Sequence, residues 1–222
     1  TTHSGVAVIA VEDSGQNNII VVPGANGRVN TEDVAKLSNL FDNTAALLLQ
    51  LEIPLPAVLA AAKAAQDAGI KVILDPAPAR QDIPESLYPL VDIITPNETE
   101  ASQLVGFEVN SPETAKAAAL VLLQRGVKMA AIAKLGALGV FCATAAESFF
   151  VPAFPVEAVD TVAAGDAFNG GLAAALAQGH SLRHAVVWGA AAGALATTAS
   201  GAMPSLPNRN TLNQFLKQRQ VV

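Results

Sequence analysis

The pattern of apolar and polar positions along the chain predicts a series of short β-strands. Eight runs rich in Val, Ile, Leu and Ala have the length and composition of strands: residues 6–11, 19–22, 45–49, 70–74, 92–95, 127–133, 139–143 and 148–151. Polar turn formers at 13–18 join the first two runs in a predicted hairpin, and the last two runs form a second hairpin. The run 45–49 contains no polar residue, which predicts a strand buried on both faces.

Amphipathic helix patterns fill most of the intervals between these strands. Thr31 is the predicted N-cap of the first helix, whose apolar face carries Val34, Leu37, Leu40 and Phe41. The other helices are predicted at 56–68, from 98 onward, at 112–125, and from 165 to the C-terminus with an interruption at 179. Because strands alternate with helices, the sequence predicts one α/β domain over residues 1–222, with parallel strands joined by right-handed helical crossovers.

Polar clusters follow three of the predicted strands, at residues 50–52, from Asp75 onward, and at 97–100. In an open parallel sheet, ligands bind beyond the carboxyl ends of the strands. The coincidence of three polar clusters at that edge therefore predicts a binding site there.

Composition and charge exclude several classes of protein. Hydrophobic residues make up 51% of the chain and charged residues 14%, which is typical of a globular protein and not of a disordered one. The formal net charge is −6 and the basic residues are scattered, so no nucleic-acid partner is predicted. No membrane span is predicted, because no stretch reaches about 18 uncharged apolar residues without interruption by glycine and small residues. No signal peptide is predicted, because residues 1–11 have the pattern of a strand entry. The single cysteine, Cys142, can form no internal disulfide, which favours a reducing, cytoplasmic setting.

The segment 160–171 (DTVAAGDAFNGG) carries the sharpest chemical signal. Small residues at 163–165 allow the backbone to approach a ligand closely, and a helix is predicted to start near Asp166. The unpaired N–H groups at such a helix start, together with the helix dipole, favour a bound anion. A carboxylate at the same place can accept a proton from an attacking hydroxyl. The alternative is structural: Asp166 would be a first-turn carboxylate and the glycines would permit tight packing.

This segment resembles the C-terminal signature of the ribokinase (pfkB) family of carbohydrate kinases, in the acidic-Thr start, the small triplet, the Asp and the trailing Asn-Gly. The resemblance implies a ribokinase-like three-layer α/β/α fold with a largely parallel central sheet. It also implies that Asp166 is the catalytic base, in contact with the sugar hydroxyl. The backbone of Ala163, Ala164 and Gly165 would then form the anion hole.

Two further segments carry the same resemblance. Residues 75–80 (DPAPAR) are similar to the proline-rich turn that follows a central strand in the family. Residues 92–100 (DIITPNETE) are similar to its Asn-x-x-Glu segment, which implies that Asn97 and Glu100 arrange Mg²⁺ and its waters around the ATP phosphates. From the residues alone, Asn97 and Glu100 could equally be a helix cap and its partner in a capping box.

The segment that starts at Lys134 (KLGALG) resembles the strand-to-hairpin turn that lies along the nucleotide phosphates in this family. The resemblance implies that Lys134, Gly136 and Gly139, together with Gly165, bind ATP. Ribokinases commonly carry Thr where this chain has Lys134, and a basic residue where it has Leu138. Lys134 could add positive charge against the phosphates, or it could be a solvated lysine at a strand end.

Glu52 matches the carboxylate that reaches the sugar hydroxyls in ribokinases, although an exposed loop acid would give the same pattern. The segment 201–205 resembles the adenine-side loop of the family. Together with Asp160, Val162 and Ser205 it matches the pocket that holds K⁺ in activated family members.

The implied function is transfer of the γ-phosphate of ATP, with Mg²⁺, to a primary hydroxyl of a small sugar, with ribose as the first choice. Deoxyribose, fructose or a nucleoside are alternative acceptors, and a non-catalytic nucleotide or sugar sensor is an alternative function. A dinucleotide-binding domain is disfavoured because the sequence lacks a Gly-x-Gly-x-x-Gly fingerprint, and no P-loop motif occurs either.

The family pattern also contains an upstream region with the first strands of the sheet, most of a β lid, and sugar-binding residues, none of which occurs in these 222 residues. We therefore expect this segment alone not to be a competent kinase, because a lid helps to position substrates and exclude water. The family's dimer contacts come largely from the lid, so the resemblance allows a homodimer of the full-length protein.

Overall fold

The structure is a computed structural model that describes residues 2–11 and 17–219. Strands β1 (Val6–Val11) and β2 (Asn17–Val22) pair antiparallel, as the sequence predicted. Most of the predicted turn at 13–18 lies outside the described residues. Large apolar side chains of this hairpin are exposed on both strands, among them Val8 and Ile20.

The main sheet contains six strands in the described part of the chain: β3 (Ala46–Leu49), β4 (Lys71–Leu74), β5 (Ile93–Ile94), β6 (Ala130–Lys134), β7 (Gly139–Ala143) and β8 (Ser148–Pro152). Their spatial order is the order of the sequence. The pairs from β3 to β6 are parallel, whereas β6, β7 and β8 are joined by antiparallel pairs. The largely parallel central sheet is therefore confirmed.

The helices that the structure describes are α1 (Thr31–Ala35), α2 (Leu55–Asp67), α3 (Glu98–Val105), α4 (Pro112–Gln124), α5 (Ala164–Ala177), α6 (Leu182–Ala196), α7 (Ala202–Ser205) and α8 (Arg209–Gln218). Alternate residues of the central strands point into two separate apolar cores. Val72 and Leu74 of β4 pack in the core with α2, α3 and α4, while Ile73 packs in the core with α5, α6 and α8. The three-layer α/β/α arrangement follows from these two cores.

The first helix differs from its prediction. Asn30, not Thr31, is the N-cap, because its side chain accepts hydrogen bonds from the N–H groups of Glu32 and Asp33 while the Asp33 carboxylate accepts from the Asn30 N–H. The α-helix ends at Ala35 and a 3₁₀ segment follows to Leu40, whose side chain is 67% exposed. The single apolar face predicted for this stretch is therefore wrong at its C-terminal end.

Strand β3 also differs, because it lies at an edge of the described sheet. Its side chains are only partly buried, and Leu48 is 45% exposed. The prediction that this strand is buried on both faces is therefore wrong. A continuous apolar run cannot distinguish a central strand from an edge strand, since both need apolar residues.

Exposed apolar residues on an edge strand favour pairing with another chain. We expect Leu48→Lys to raise the concentration at which the 222-residue chain remains monomeric by about an order of magnitude, since a charge opposes edge pairing. Sedimentation velocity over a concentration series measures the effect. Leu120→Lys is the matched control, because Leu120 is 44% exposed but lies on α4. An equal gain from both substitutions would show that general solubility, and not the strand edge, controls association.

Among the described residues, no helix combines the length and the apolar character that crossing a bilayer requires. Cys142 is buried in β7, and its burial raises the pKa of the thiol to about 12. The thiol is therefore protonated at neutral pH and packs as a small apolar group.

Candidate active site

The carboxyl ends of β4 and β6 are joined by an ion pair between Asp75 and Lys134. The Lys134 Nζ lies 2.9 Å and 3.1 Å from the two carboxylate oxygens of Asp75. The two side chains are only 13% and 14% exposed. The interpretation of Lys134 as a solvated lysine is therefore wrong, and its charge is neutralised by a carboxylate in this structure.

Two buried polar side chains extend this ion pair toward helix α5. Asn169 donates through Nδ2 to the Asp75 carboxylate at 2.6 Å, and Thr95 donates through Oγ1 to the Asn169 Oδ1 at 2.8 Å. Thr95 follows β5 and is fully buried, while Asn169 lies on the second turn of α5. The ends of β4, β5 and β6 are thereby connected to one helix. The sequence analysis did not assign a role to either side chain, although a threonine after two buried isoleucines was a signal of a polar partner nearby.

Helix α5 begins at Ala164 without a side-chain cap from Ala163. The N–H groups of Gly165 and Asp166 have no hydrogen-bond partner among the residues that the structure describes. Unpaired N–H groups and the helix dipole together favour an anion at this point. Lys134 adds a cation beside it, since a Cβ built on Gly165 would lie 3.3 Å from the Lys134 Nζ.

Asp166 is the third residue of α5 and stands at the mouth of this anion site. The residue is exposed as a whole, but partial loss of hydration raises the pKa of its carboxyl group. The nearby Asp75 carboxylate raises this pKa further, and Lys134 opposes the shift. A carboxylate with a raised pKa is a stronger proton acceptor than an ordinary aspartate as long as it remains ionised.

Asn97 and Glu100 form the capping box of α3, as the alternative from the residues alone anticipated. The Glu100 oxygens accept from the Asn97 N–H at 2.8 Å and from Asn97 Nδ2 at 2.9 Å. Glu100 is 6% exposed, and its burial raises the pKa of the carboxyl group. Backbone pairing between Asn97 and Lys134 holds this box beside the ion pair.

The side chains of Asn97 and Glu100 fit one mode of Mg²⁺ binding. Each Glu100 oxygen accepts one hydrogen bond from Asn97 and keeps a further lone pair. The described residues contain no group of three or more His, Cys, Asp or Glu side chains arranged around a common point. Such a donor set fits an Mg²⁺ ion that keeps its water ligands, and does not fit one held directly by several carboxylates.

Gly136 and Gly139 shape the turn between β6 and β7. Both have positive φ, at 48° and 129°, which favours glycine. A Cβ on Gly139 would lie 2.2 Å from the carbonyl oxygen of Val151, so this position admits only glycine. Gly136 lies near α3, because a Cβ there would meet the Glu98 carboxylate at 3.3 Å. The turn thus follows Lys134 directly and passes the first turn of α3.

Glu52 lies at the same edge of the sheet but is not drawn into this cluster. It follows β3, where the Leu51 N–H donates to the Ala77 carbonyl at 2.7 Å and connects the two loops. The Glu52 side chain is exposed and makes no hydrogen bond or ion pair to the part of the chain that the structure describes.

Asp160 connects the loop before α5 to the loop before α7. Its carboxylate accepts from the Val162 N–H at 3.0 Å and from the Gly201 N–H at 2.9 Å. These two hydrogen bonds lower the pKa of Asp160. Ser205 is buried and donates to the Ala202 carbonyl at 2.8 Å. The structure thereby joins Asp160 and Val162 to Gly201, while Ser205 lies at the end of α7, four residues further along the chain.

Removing this carboxylate has a predictable pH dependence. We expect Asp160→Ala to lower the midpoint of thermal unfolding at pH 7, because two N–H groups lose their acceptor. The pKa of Asp160 is lower in the folded state than in the unfolded state, so its contribution is present above the unfolded pKa of about 3.9 and is lost as pH falls through the folded pKa. The difference between variant and wild type should therefore shrink from pH 7 to pH 3. A difference that is constant with pH, or an equal loss in the control Glu157→Ala, would contradict this role.

A family model for pfkB family carbohydrate kinases matches residues 1–209 of the chain. The chain belongs to this family. The resemblance to the family noted in the sequence is thereby confirmed.

Individual relatives agree with this assignment. The ribokinase of Haemophilus influenzae is 42% identical over 214 residues, which are 96% of this pfkB-family chain and 69% of the relative. The crystal structure of the Thermotoga maritima ribokinase matches with a TM-score of 0.84 and 40% identity, covering 98% of this chain and 71% of that one. The Arabidopsis thaliana ribokinase, solved as a complex with ribose and ATP, matches with a TM-score of 0.85 and 34% identity over 96% and 69% of the two chains. The ribokinase-like fold is confirmed, and the chain spans about 70% of the length of these relatives.

Proposed function

We propose that this protein is an ATP-dependent kinase that phosphorylates a primary hydroxyl of a small sugar, with ribose and its O5 as acceptor. The observation that carries the proposal is the position of the Asp166 carboxylate at the start of α5. There the N–H groups of Gly165 and Asp166 have no partner in the described part of the chain. A proton acceptor and an anion site in contact are what phosphoryl transfer to an alcohol requires. The kinase names of the relatives, and the ribose and ATP in one of their structures, support the choice of substrates.

The proposed reaction assigns one step to each part. The sugar hydroxyl oxygen forms a bond to the γ-phosphorus, its proton passes to Asp166, and the bond from the γ-phosphorus to its bridging oxygen breaks with the electron pair leaving on ADP. Among Ala163, Ala164 and Gly165, the Ala164 N–H donates to the Thr161 carbonyl at 3.2 Å and is not free for an anion. The N–H groups of Ala163 and Gly165, with that of Asp166, would therefore stabilise the negative charge on the phosphoryl group in transit. The raised pKa of Asp166 suits a base that must take up a proton as the new bond forms.

Nucleotide binding is proposed for Asn97, Lys134, Gly136, Gly139 and Gly165, which line the anion site or the turn beside it. Asn97 and Glu100 would hold Mg²⁺ through its water ligands, and the bound ion would neutralise phosphate charge. The two loops joined by Asp160, with Val162 and Ser205, are the proposed place for K⁺.

Glu52 is proposed as the sugar-binding carboxylate, since it is exposed at the same sheet edge and its oxygens remain available for hydroxyl groups. The full-length protein is the proposed active form, as a homodimer in the cytoplasm, whereas the 222-residue chain by itself is expected to turn over sugar weakly. The protonated, buried thiol of Cys142 is compatible with a reducing compartment.

The experiment that tests this function is ATP consumption with Mg²⁺ and K⁺ across ribose, deoxyribose, fructose and common nucleosides. It uses the full-length protein, including any residues that precede Thr1 in nature. We expect a clear preference for ribose and a lower rate when Na⁺ replaces K⁺. Preference for another acceptor would correct the substrate, and ATP binding without any turnover would favour a non-catalytic sensor.

A further inference from the structure

Three carboxylates converge on the place where the ATP phosphates are proposed to bind. They are Asp75 and Asp166, whose charges repel each other, and Glu100, which Asn97 holds beside Lys134. A triphosphate would meet strong repulsion from three uncompensated carboxylates. In the described part of the chain, Lys134 is the cation that pairs with a member of this cluster. The charge of the site therefore depends on where Lys134 is held.

Asp75 controls that position through direct contacts. Both of its oxygens bind the Lys134 ammonium, and one also accepts from Asn169, one helical turn beyond Asp166 on α5. The ammonium lies directly beside Gly165, where an added Cβ would lie 3.3 Å from Nζ and 3.7 Å from Oδ2 of Asp75. One carboxylate thus touches both the cation of the anion site and the helix that carries the base.

We propose that Asp75 is a positioning residue that retains the Lys134 ammonium beside the Gly165 turn and, through Asn169, fixes the start of α5 that carries Asp166. The inference rests on the proposed kinase function and deepens it. In this proposal Asp75 acts only through Lys134 and Asn169. The ion pair with Asp75 weakens the attraction between Lys134 and the phosphates of bound ATP. The charge of Lys134 then contributes more in the transition state of phosphoryl transfer than in the ground state.

Separate removal of the two charges should have opposite effects on ATP binding. Asp75→Asn keeps the shape and a hydrogen-bond acceptor for Asn169, but it releases Lys134 to the phosphates. We expect KM for ATP to fall about threefold or more while kcat falls about tenfold. Lys134→Met leaves a buried carboxylate without its partner, so KM for ATP should rise about tenfold and kcat should also fall.

The double variant Asp75→Asn/Lys134→Met removes both charges together. The ratio of its kcat to that of wild type should exceed the product of the same ratios for the two single variants by about fivefold or more. The reason is that no lone buried charge remains in the double variant. Lys63→Met and Asp67→Asn serve as the matched control pair, since they form an exposed ion pair on α2 and should change neither constant.

The experiment measures kcat, KM and the dissociation constant of ATP in the full-length protein, together with thermal unfolding. The inference would be overturned if both single variants raised KM for ATP by the same factor and both lowered the midpoint of thermal unfolding. An ion pair with a merely structural role would give that result. Multiplicative effects in the double variant would overturn it as well. If the wild type turns over no sugar, the proposed function fails, but the opposite changes in the dissociation constant of ATP still decide the role of Asp75.

Discussion

Asp166→Asn is expected to lower kcat by about three orders of magnitude while the dissociation constant of ATP stays within about twofold of wild type. Asparagine has the shape of aspartate but cannot accept the proton of the sugar hydroxyl. The unpaired N–H groups of Gly165 and residue 166 belong to the backbone and remain in place, so the proposed phosphate site is retained. Steady-state kinetics and ATP titration of the full-length protein measure the two quantities.

The alternative for Asp166 is a first-turn carboxylate that only stabilises α5. Glu113→Gln is the matched control, because Glu113 is an exposed acid in the first turn of α4. An acid that acts on the helix dipole alone contributes about 0.3–1 kcal/mol to stability. Both variants would then lose a little stability and keep their kcat. Retention of more than about a tenth of kcat by Asp166→Asn would refute the assignment of the base.

Two adjacent glycines on α5 should respond in opposite directions to the same substitution. A Cβ on Gly171 would lie 2.9 Å from Ala192 Cβ and 3.0 Å from the Trp188 carbonyl oxygen, both on α6. Gly171→Ala should therefore lower the free energy of unfolding by about 1–3 kcal/mol through overpacking. A Cβ on Gly170 meets no described atom within 4 Å, so Gly170→Ala should raise the free energy of unfolding by up to about 1 kcal/mol.

Denaturant unfolding of both variants measures the two changes. Equal destabilisation of the two variants would show that helix propensity at Gly170 and close packing at Gly171 do not determine their effects on stability. An increase in stability for Gly171→Ala would mean that α5 and α6 can separate without cost.

The sequence predicted most of the fold because its signals are local. Apolar runs marked every strand of the structure within a few residues, and Gly179 separates α5 from α6 as expected. The segment 160–171 was predicted to start a helix with unpaired N–H groups, and α5 begins two residues before Asp166. Errors arose where a choice between neighbouring local signals was needed, as between Asn30 and Thr31 for the cap of α1.

The polar network of the site could not be predicted in the same way. Asp75 and Lys134 are 59 positions apart, and Asp75 and Asn169 are 94 apart. No periodicity encodes such a contact, because it depends on which strands become neighbours in the sheet. The edge position of β3 is non-local for the same reason. Lys134 illustrates the consequence: its sequence context allowed a solvated side chain, but Asp75, at the end of a strand two positions away in the sheet, supplies the carboxylate that pairs with it.

The most direct test of the central claim is ³¹P NMR of the product that the full-length protein forms from ATP, Mg²⁺ and ribose. The proposed mechanism predicts ADP and a single phosphomonoester whose phosphorus couples to the two protons on the carbon that bears O5. Inorganic phosphate in place of the ester, or a phosphate coupled to the single proton of the anomeric carbon, would contradict transfer to a primary hydroxyl activated by Asp166.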